Sequence, residues 1–373
     1  MSTTASGDQT VKKSSLRRVL GLGIAALALT VSACSGGDAA GSGSSGAAGD
    51  ELSGDLAGAG ASSQGAAQEA WIATYSGVQP DVTVTYDPIG SGGGREQFIA
   101  GGTSFAGSDS YLDDEEVKAA QEQCGGEFIE FPGYISPIAV AYNLPGVEGL
   151  NLSASVIAQI FDMKITTWND PKIAELNEGV ELPDTKINAV HRSDESGTTE
   201  NFVDYLAQAA PDDWKHEVSG DWPVQGGEPA AQTQGVAQAL NASEGSIGYI
   251  DASQVGELGV AKIQVGEEFV EFTPEAAAAA VDQGERVEGR GEYSYAIDLP
   301  RTTDDSSVYP IVLVSYLLAC TSYDDANTAA MVKDYYGYII SEDGQQVAAQ
   351  EAGAAPISDS LREFAQGGLD QIG

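Results

Sequence analysis

The sequence predicts an α/β protein of two lobes with mainly parallel sheets. Strand patterns and helix patterns alternate along the chain, and this alternation favours parallel sheets. The 373 residues exceed one ordinary core, and a composition of 42% hydrophobic and 20% charged residues is typical of a globular protein. Sheets of this kind bind ligands beyond the carboxyl ends of their strands, and there this sequence concentrates Gly, Ser and Thr.

The N-terminus has the pattern of an export signal. Four basic residues precede an apolar run from Val19 to Val31 that is too short to span a membrane comfortably. The run leads into "VSAC", which resembles a lipobox with Cys34 as the lipidated residue, although an ordinary signal peptide with an incidental cysteine is the alternative. We expect a lipoprotein signal peptide over 1–33, a lipidated Cys and flexible Gly/Ser/Ala linker over 34–50, and a domain anchored on the extracytoplasmic face of the cell membrane.

The first elements after the linker alternate between helix and strand. "AAQEAWIATYSGV" places Trp71, Ile72 and Tyr75 at helical spacing, and "DVTVTYDPIG" alternates apolar with polar residues as a half-buried strand does. After a Gly-rich turn, the predicted order is helix "REQFIAGG", strand "SFAGSD", acidic helix "DDEEVKAAQEQ" and strand "YISPIAVAYN".

The alternation continues to the C-terminus. The predicted order is helix "SASVIAQIFDM" with a Ser cap, strand "KINAVHR", helix "SGTTENFVDYLAQAA" and strand "GSIGYID". "AAAAAVDQ" predicts a solvated low-complexity helix, "YPIVLVSYLLAC" predicts a buried β-rich run, and two helices are expected between 324 and 352.

The charge and the cysteines exclude several classes of function. With 56 acidic residues against 17 Lys and Arg, non-specific binding to nucleic acid or anionic lipid is disfavoured, and we expect no nucleic-acid partner. Two histidines and no CxxC or HExxH motif argue against a zinc site, and we expect no metal. In an exported protein Cys124 and Cys320 form either a disulfide or two separate buried thiols, and their spacing does not choose between these.

Three turns share the chemistry of an oxyanion site. They are "GAGASS", "PIGSGGGRE" and "RSDESGTTE", and each precedes a predicted helix. Glycine lets backbone N–H groups approach a ligand, the hydroxyls add donors, and the helix start presents unpaired amides. The second turn lacks the Lys of a phosphate-binding GxxxxGK[ST] loop, so nucleotide hydrolysis is not favoured.

The order "GAGASS", "IGSGGG", "GSD", "RSDESGT" and "SIGYID" resembles the phosphate-binding lipoproteins of phosphate ABC transporters, the PstS family, over nearly the whole chain after the linker. The resemblance implies a two-lobed type II periplasmic-binding-protein fold with phosphate in the cleft. Lobe I would cover 51–142 plus 251–373 and lobe II 143–250, with hinge crossovers near "AYNLPG" and "GYIDAS". It further implies a monomer that delivers phosphate to an ABC permease and ATPase complex, without a cofactor or enzymatic activity.

The resemblance also assigns individual ligand residues. Ser62 keeps a hydroxyl donor where the family commonly has Thr, whereas Ser63 could offer its amide but has lost the aromatic ring common in the family. Ser91 matches a ligand hydroxyl, and Asp109 matches the carboxylate that accepts a proton from phosphate.

The last turn supplies the remaining assignments. Arg192 matches the arginine that meets the anion, and Asp194 matches the acid that orients it. The helix N-terminus that wraps the remaining oxygens is matched by Ser196, Gly197 and Thr198. His191 stands where relatives can have a second basic residue, and we expect it to be peripheral.

Elementary chemistry supports these roles. A desolvated anion needs several fixed hydrogen bonds, and Arg192 supplies charge-assisted ones. Asp109 then selects the anion, because phosphate keeps a proton at neutral pH that a carboxylate accepts, whereas sulfate has none and is repelled.

Three alternatives remain open. A phosphoryl or acyl hydrolase would use Ser196 as nucleophile and would need a base beside it, for which His191 is the only nearby histidine and no GxSxG elbow is present. A binding protein for another oxyanion, such as sulfate, molybdate or a sugar phosphate, keeps the fold. A lipoprotein adhesin or sensor with a vestigial site predicts no measurable phosphate affinity.

Overall fold

The computed structural model describes residues 52–373, and within this range it contains fourteen strands. The strands are β1 Gly54–Gly60, β2 Val82–Asp87, β3 Phe105–Ser108, β4 Phe128–Asn143, β5 Asn151–Leu152, β6 Asn188–Arg192, β7 Glu228–Ala230, β8 Ser246–Asp251, β9 Gly259–Val260, β10 Lys262–Val265, β11 Glu268–Val270, β12 Glu285–Arg286, β13 Ile297–Asp298 and β14 Val312–Cys320.

Eleven α-helices alternate with these strands over the same residues. They are α1 Gly65–Val78, α2 Ser91–Ile99, α3 Asp114–Gln123, α4 Ala154–Phe161, α5 Pro171–Leu176, α6 Gly197–Ala209, α7 Gln232–Ala242, α8 Pro274–Asp282, α9 Ala326–Ile340, α10 Glu342–Ala352 and α11 Asp359–Leu369. The predicted α/β class is therefore confirmed.

One mixed sheet of nine strands organises the molecule. Its order is β2-β1-β3-β14-β4-β8-β6-β7, and β9 also pairs with β4. The flanks β2-β1-β3 and β8-β6-β7 are each parallel, but at the centre β14 is antiparallel to its neighbours β3 and β4, and β4 is antiparallel to its neighbour β8. The expectation of mainly parallel sheets is thus correct for the flanks and wrong for the centre, because long-range packing and not the local alternation of helix and strand patterns decides which strands become neighbours.

The long strand β4 divides the sheet into two halves. Residues up to Pro137 pair with β14, and residues from Ile138 onward pair with β8. We call β1, β2, β3, β14 and the start of β4 the first half-sheet. The end of β4 with β6, β7, β8 and β9 is the second half-sheet.

Helix α1 is fixed on the first half-sheet by a buried aromatic. Trp71 is fully buried, packs edge to face on Tyr134 with ring centroids 6.4 Å apart, and donates from its indole nitrogen to the carbonyl of Gly344 at 2.7 Å. Such a pair stabilises the fold beyond its buried area. The turn that precedes α1 is thereby held on a rigid element.

Several predicted elements have different limits in the structure. The helix predicted from Arg95 begins at Ser91 and includes the three glycines of its turn. Strand β1 and most of β4 before Tyr134 had no counterpart in the sequence pattern. The alanine-rich helix α8 was expected to be solvated, yet it buries one face, Ala276, Ala277, Ala280 and Val281, because it packs against β4 and β14.

The structure resolves the question of the two cysteines. Cys124 and Cys320 form a disulfide with their Cα atoms 5.1 Å apart and a sequence separation of 196. It joins the residue that ends α3 to the last residue of β14. The bridge therefore closes a loop that contains all of the second half-sheet.

The predicted lobe limits place 251–373 in the first lobe. In the structure β9 pairs with β4 at Ala141 and Tyr142, and β10 pairs with β5, which lies inside 143–250. The lobe limits stay a prediction. The signal peptide, Cys34 and the linker lie outside the described residues.

Candidate functional site

The predicted ligand turns follow the carboxyl ends of four strands. In the first half-sheet, β1 leads into a 3-10 turn that contains Ser62 and Ser63, and β2 leads into α2, which begins at Ser91. Strand β3 ends one residue before Asp109. In the second half-sheet, β6 ends at Arg192 and leads into α6. Both half-sheets thus contribute to one region, as the rule for ligand crevices predicts.

Asp109 is a buried carboxylate surrounded by hydroxyl groups. It is 3% exposed. Ser63 donates to both of its oxygens at 2.7 and 2.8 Å, Thr198 donates to Oδ2 at 2.9 Å, and Ser315 donates to Oδ1 at 2.5 Å. Thr198 lies on α6, so one of these bonds crosses from the second half-sheet to the first.

The surroundings of Asp109 raise its pKa. Burial is the largest cause because it disfavours the charged form, and four groups partly offset it: the hydroxyls of Ser315, Ser63 and Thr198, and the charge of Arg192. A carboxylate offers about four lone-pair positions, whereas three hydroxyl hydrogens reach this one. Because Ser63 shares its single hydrogen between the two oxygens, three hydrogens serve about four lone-pair positions, and the carboxylate has the capacity to accept one more.

Arg192 and Asp194 form the opposite wall. The arginine is 3% exposed, its Nε donates to Asp194 Oδ1 at 2.8 Å, and its Nη2 donates to Asp194 Oδ2. The backbone N–H of Gln232 also donates to Asp194 Oδ1, at 3.0 Å. Within residues 52–373 no side chain or carbonyl accepts from Nη1 of Arg192.

The pKa of Asp194 shifts in the opposite direction from that of Asp109. Partial burial by itself raises it, but the hydrogen bonds and charge of Arg192, with backbone donors, outweigh burial and lower the pKa. Asp194 is therefore ionised and fixes the arginine in one orientation. The pair carries no net charge, so its guanidinium is a positioned hydrogen-bond donor rather than a free cation.

Two glycines let the walls approach each other. Gly90 has φ of 102°, and a Cβ there would lie 2.8 Å from Asp194 Oδ2. A Cβ on Gly197 would lie 2.6 Å from Cβ of Asp109 and 2.8 Å from Ser91 Oγ. Any larger side chain at these positions would push α2 and α6 apart.

The remaining predicted hydroxyls have partners within the protein. Ser91 Oγ accepts from the backbone N–H of Asp109 at 3.1 Å. Ser62 Oγ accepts from the N–H of Thr233 at 3.1 Å and lies 3.0 Å from its Oγ1, so it touches the start of α7 instead of Asp109. Ser196 caps α6 by accepting from the N–H of a residue three positions later at 3.2 Å.

The predicted residues therefore form two groups, the helix cap Ser196 and one outlier. Around Asp109 the structure gathers Ser63, Ser91, Gly197 and Thr198, and Arg192 pairs with Asp194. Ser62 stands apart against α7. The contact of each with a ligand stays a prediction.

Sequence reasoning missed three residues of this region. Ser315 has the one aliphatic hydroxyl in the buried run "VLVSYLLAC", and a buried hydroxyl needs a partner, so a signal for it existed. The sequence contains no signal for Thr233 or Gln232. In the structure Gln232 has φ of 61°, a conformation that is costly for a residue other than glycine and that often marks functional sites. The hydroxyl of Ser63, which had been given only an amide role, is a direct partner of Asp109.

Further contacts hold the two half-sheets together beside the site. Arg95 of α2 is 6% exposed and donates from Nη2 to Glu195 at 2.6 Å, and its Nε donates to Glu116 at 2.8 Å. Ser110 donates to Glu200 of α6 at 2.6 Å. The two walls are therefore in contact.

The hydrolase alternative finds no geometric support. The Oγ of Ser196 accepts only the capping bond within the described part of the chain, and no base reaches it. His191 stacks on Trp222 with ring centroids 5.1 Å apart, and its nitrogens lie 2.8 Å from the carbonyl of Arg192 and 3.1 Å from that of Gly226. Its ring is thus engaged away from the serine.

Residues 52–373 lack two kinds of feature. No group of three or more His, Cys, Asp or Glu side chains is arranged to hold a metal ion. No helix in this range has the length and hydropathy needed to cross a bilayer.

Comparison with known proteins gives consistent matches. A family model described as a PBP superfamily domain matches residues 45–343. Phosphate-binding protein PstS 3 of Mycobacterium leprae is 34% identical over 316 residues, which cover 82% of this chain and 84% of that protein. Phosphate-binding protein PstS2 of Mycobacterium bovis is 35% identical over 352 residues, which cover 91% and 94%.

Solved structures share the fold at lower identity. A phosphate-binding protein from Stenotrophomonas maltophilia is 19% identical with a TM-score of 0.64, over 84% of this chain and 94% of its own. A high-affinity periplasmic phosphate-binding protein, solved bound with phosphate, is 20% identical with a TM-score of 0.69, over 84% and 93%.

Proposed function

The chain belongs to the PBP superfamily and, within it, to the PstS phosphate-binding proteins, and from this membership we propose that it captures inorganic phosphate outside the cytoplasm. It then delivers the anion to the permease and ATPase complex of a phosphate ABC transporter. It acts by binding and closure, and it catalyses no reaction.

The observation that carries this proposal is the pairing of opposite chemistries across one site. Arg192 presents an Nη1 from which no described residue accepts, while Asp109 receives three hydroxyl hydrogens and has acceptor capacity for one more. An oxyanion that both accepts from the arginine and donates to the carboxylate satisfies both walls. Phosphate does so at neutral pH, whereas sulfate carries no proton to donate.

The proposed ligand set consists of the residues assigned from the sequence: Ser62, Ser63, Ser91, Asp109, Arg192, Asp194, Ser196, Gly197 and Thr198. The N-terminus of α6 supports this set, because Ser196 caps the amide of its third residue and the first amides of a helix have no acceptor within the helix. The acidic chain does not prevent binding, since neutral dipoles and one arginine act at short range while surface charges are screened beyond about 8 Å.

Closure of two lobes about hinges is the proposed mechanism of capture. The change of partner strand at Pro137 and Ile138 of β4 supports a hinge within the sheet, and the bond between Arg95 and Glu195 supports a closed form with the lobes in contact. A radius of gyration that does not decrease on adding phosphate, measured by small-angle scattering, would argue against closure.

Anchoring through a lipid on Cys34 belongs to the same proposal. The export pattern and lipobox-like "VSAC" support it. We expect Cys34→Ala to move the protein from the membrane fraction to the medium, and retention at the membrane would contradict the anchor. A monomeric state is proposed as well, and light scattering tests it.

Isothermal titration of the purified protein with phosphate, arsenate and sulfate tests the function itself. We expect tight binding of phosphate and arsenate, which both keep a proton, and binding of sulfate weaker by about a thousandfold or more. Absence of phosphate binding would refute the proposal and favour a vestigial site. Phosphatase and esterase assays on the same sample exclude the hydrolase if they show no turnover.

A further inference from the structure

A chain of buried hydrogen bonds runs through the first half-sheet and ends on Asp109. The hydroxyl of Tyr335 donates to Gln68 Oε1 at 2.8 Å, and Gln68 Nε2 donates to Gln64 Oε1 at 2.9 Å. Gln64 Nε2 then donates to Ser315 Oγ at 2.7 Å, and Ser315 donates to Asp109 Oδ1 at 2.5 Å. The first four residues are at most 1% exposed, so water does not compete along the chain.

The direction of this chain is fixed at both ends. Near Asp109, the Gln64 amide nitrogen also faces the carbonyl of Tyr316 at 3.4 Å, and a carbonyl can only accept. At the far end, burial raises the pKa of Tyr335 well above its ordinary value, so the phenol keeps its proton and donates. Each amide between them must therefore point its nitrogen toward the site.

The fixed direction determines what Ser315 does. A serine hydroxyl has a single hydrogen. Because Gln64 already donates into Ser315 Oγ, the hydroxyl hydrogen is directed to Asp109. Ser315 is therefore a committed donor, and its bond stabilises the ionised form of the carboxylate.

Asp109 depends on such donors because no cation touches it. Burial favours its neutral form, and the hydrogen bond from Ser315 is the largest of the effects that oppose burial. A neutral carboxyl would carry its own hydrogen and would donate to a fully ionised oxyanion as readily as it accepts from a protonated one. Selection by ligand protonation is then lost.

We propose that Ser315, oriented by Gln64, Gln68 and Tyr335, is a positioning residue that holds Asp109 as a hydrogen-bond acceptor and thereby sets the preference for oxyanions that carry a proton. The inference rests on the proposed function, because it concerns the selectivity of that same site. It assigns a role to α9 and α1, which contribute no predicted ligand residue.

Other charged or titratable groups face Asp109 and act in every variant. Arg192 lowers the pKa of Asp109, while Asp251 and Tyr86 are groups whose own pKa values its charge raises. A comparison between variants at each pH cancels their effect, as well as the titration of the ligand.

The test compares Ser315→Ala with the unaltered protein in phosphate and sulfate titrations from pH 5 to pH 8.5. Loss of a donor to a charged group raises the pKa of Asp109, so the fall in phosphate affinity on acidification should begin about one to two pH units higher. At pH 6 the phosphate-over-sulfate ratio should drop about tenfold or more, while at pH 8.5 it should change by less than about threefold. Ser315→Thr keeps the hydroxyl and should restore both the pH profile of phosphate affinity and the phosphate-over-sulfate ratio.

A matched control is Ser246→Ala, which removes a fully buried serine whose hydroxyl donates to the carbonyl of Leu240 at 2.9 Å. It should leave the pH profile unaltered. An equal loss of phosphate affinity at every pH in Ser315→Ala, with the ratio unchanged, would show a merely structural role and overturn the inference.

Variants further along the chain guard against a failure to fold. Tyr335→Phe and Gln64→Met should shift the profile in the same direction by smaller amounts, since each leaves Ser315 free to turn. If neither shifts it, the inference is wrong even where Ser315→Ala cannot be purified. Failure of the unaltered protein to bind phosphate is a separate result that refutes the proposed function instead.

Discussion

Each wall of the site places an aspartate in the crevice, and the two carboxylates have opposite surroundings. Asp194 is paired with Arg192, and the pair lowers its pKa. Asp109 receives three hydroxyls and no direct cation, and burial raises its pKa. The ion pair thus uses its carboxylate to orient a donor, whereas the hydroxyl-ringed carboxylate remains available to the ligand.

The contrast shows how an acidic residue can serve an anion site. A carboxylate paired with arginine has its charge balanced and most of its lone pairs filled. A carboxylate held by neutral hydroxyls keeps its charge and one free lone pair, and it repels any ligand that cannot donate. The same residue type therefore orients the cation on one wall and, in the proposed function, selects the ligand on the other.

The strongest way to break the comparison is Arg192→Ala. It removes the cation and leaves Asp194 unpaired in a partly buried position, and loss of one partner of such a pair costs about 3–5 kcal/mol. We expect phosphate affinity to fall by about a hundredfold to several thousandfold in calorimetric titrations. Arg192→Lys keeps the positive charge but loses the two-pronged donor geometry, so its phosphate affinity should lie between those of the unaltered protein and the alanine variant. A near-native dissociation constant in the alanine variant would contradict the role of this wall.

Asp109→Asn tests the other wall. The variant keeps the shape but replaces an acceptor with a group that can donate, so sulfate is no longer repelled. We expect the phosphate-over-sulfate ratio to fall by about a hundredfold or more, with a smaller loss of phosphate affinity. Titration of both anions measures the ratio. Asp194→Asn is the matched control, because it removes a carboxylate from the opposite wall and should weaken phosphate binding while preserving discrimination; unchanged discrimination in Asp109→Asn would count against its role.

Asp251 sharpens the comparison. It is a third aspartate with a buried carboxylate, and like Asp109 it has no cation in contact with it in the described part of the chain. It is 1% exposed, its Oδ1 accepts from Tyr134 and Ser253, and its Oδ2 has no partner among the described residues. Burial, only partly opposed by these hydrogen bonds, raises the pKa of Asp251 from 3.8 to about 6. The folded state therefore binds this proton more tightly than the unfolded chain does.

The sign of the stability effect follows from this difference. The contribution of the protonated Asp251 is fully present below about pH 4 and is lost as the pH rises through about 6, with a total of about 3 kcal/mol. Asp251→Asn cannot titrate. We expect the free energy of unfolding of the unaltered protein to fall by about this amount relative to the variant between pH 4 and pH 7, measured by denaturant titration. If the free energies of unfolding of the two proteins change in parallel with pH, the pKa of Asp251 is not raised in the folded state.

Much of the candidate site was visible in the sequence because local chemistry specifies it. Glycine with serine or threonine before a helix predicts exposed backbone amides, and the three turns that have this pattern all lie at the carboxyl ends of strands in the structure. Helix starts such as Ser153 and Ser196 were equally readable, since a capping side chain acts on amides two or three residues away. Starts that depend on a glycine turn, such as that of α2, were placed too late.

Contacts between distant strands were not readable. Ser315 reaches Asp109 across a separation of 206 residues because β14 lies beside β3 in antiparallel register, with Tyr316 opposite Ser108. Thr233 meets Ser62 across 171 residues because α7 packs against the turn that follows β1. No period or motif encodes which strands become neighbours.

The sequence by itself determined the α/β class, the acidic composition, the Gly/Ser/Thr turns and the residues that we propose hold a protonated oxyanion. Those properties follow from local backbone preference and from side-chain chemistry, which act over a few residues. Tertiary structure alone decided that β4 and β14 cross the centre antiparallel, that Cys124 bonds to Cys320, and that Asp109 is held by hydroxyls while Asp194 is held by a cation. The physical reason is that burial and partner choice set the charge state of a carboxylate, and both exist only when distant segments pack together.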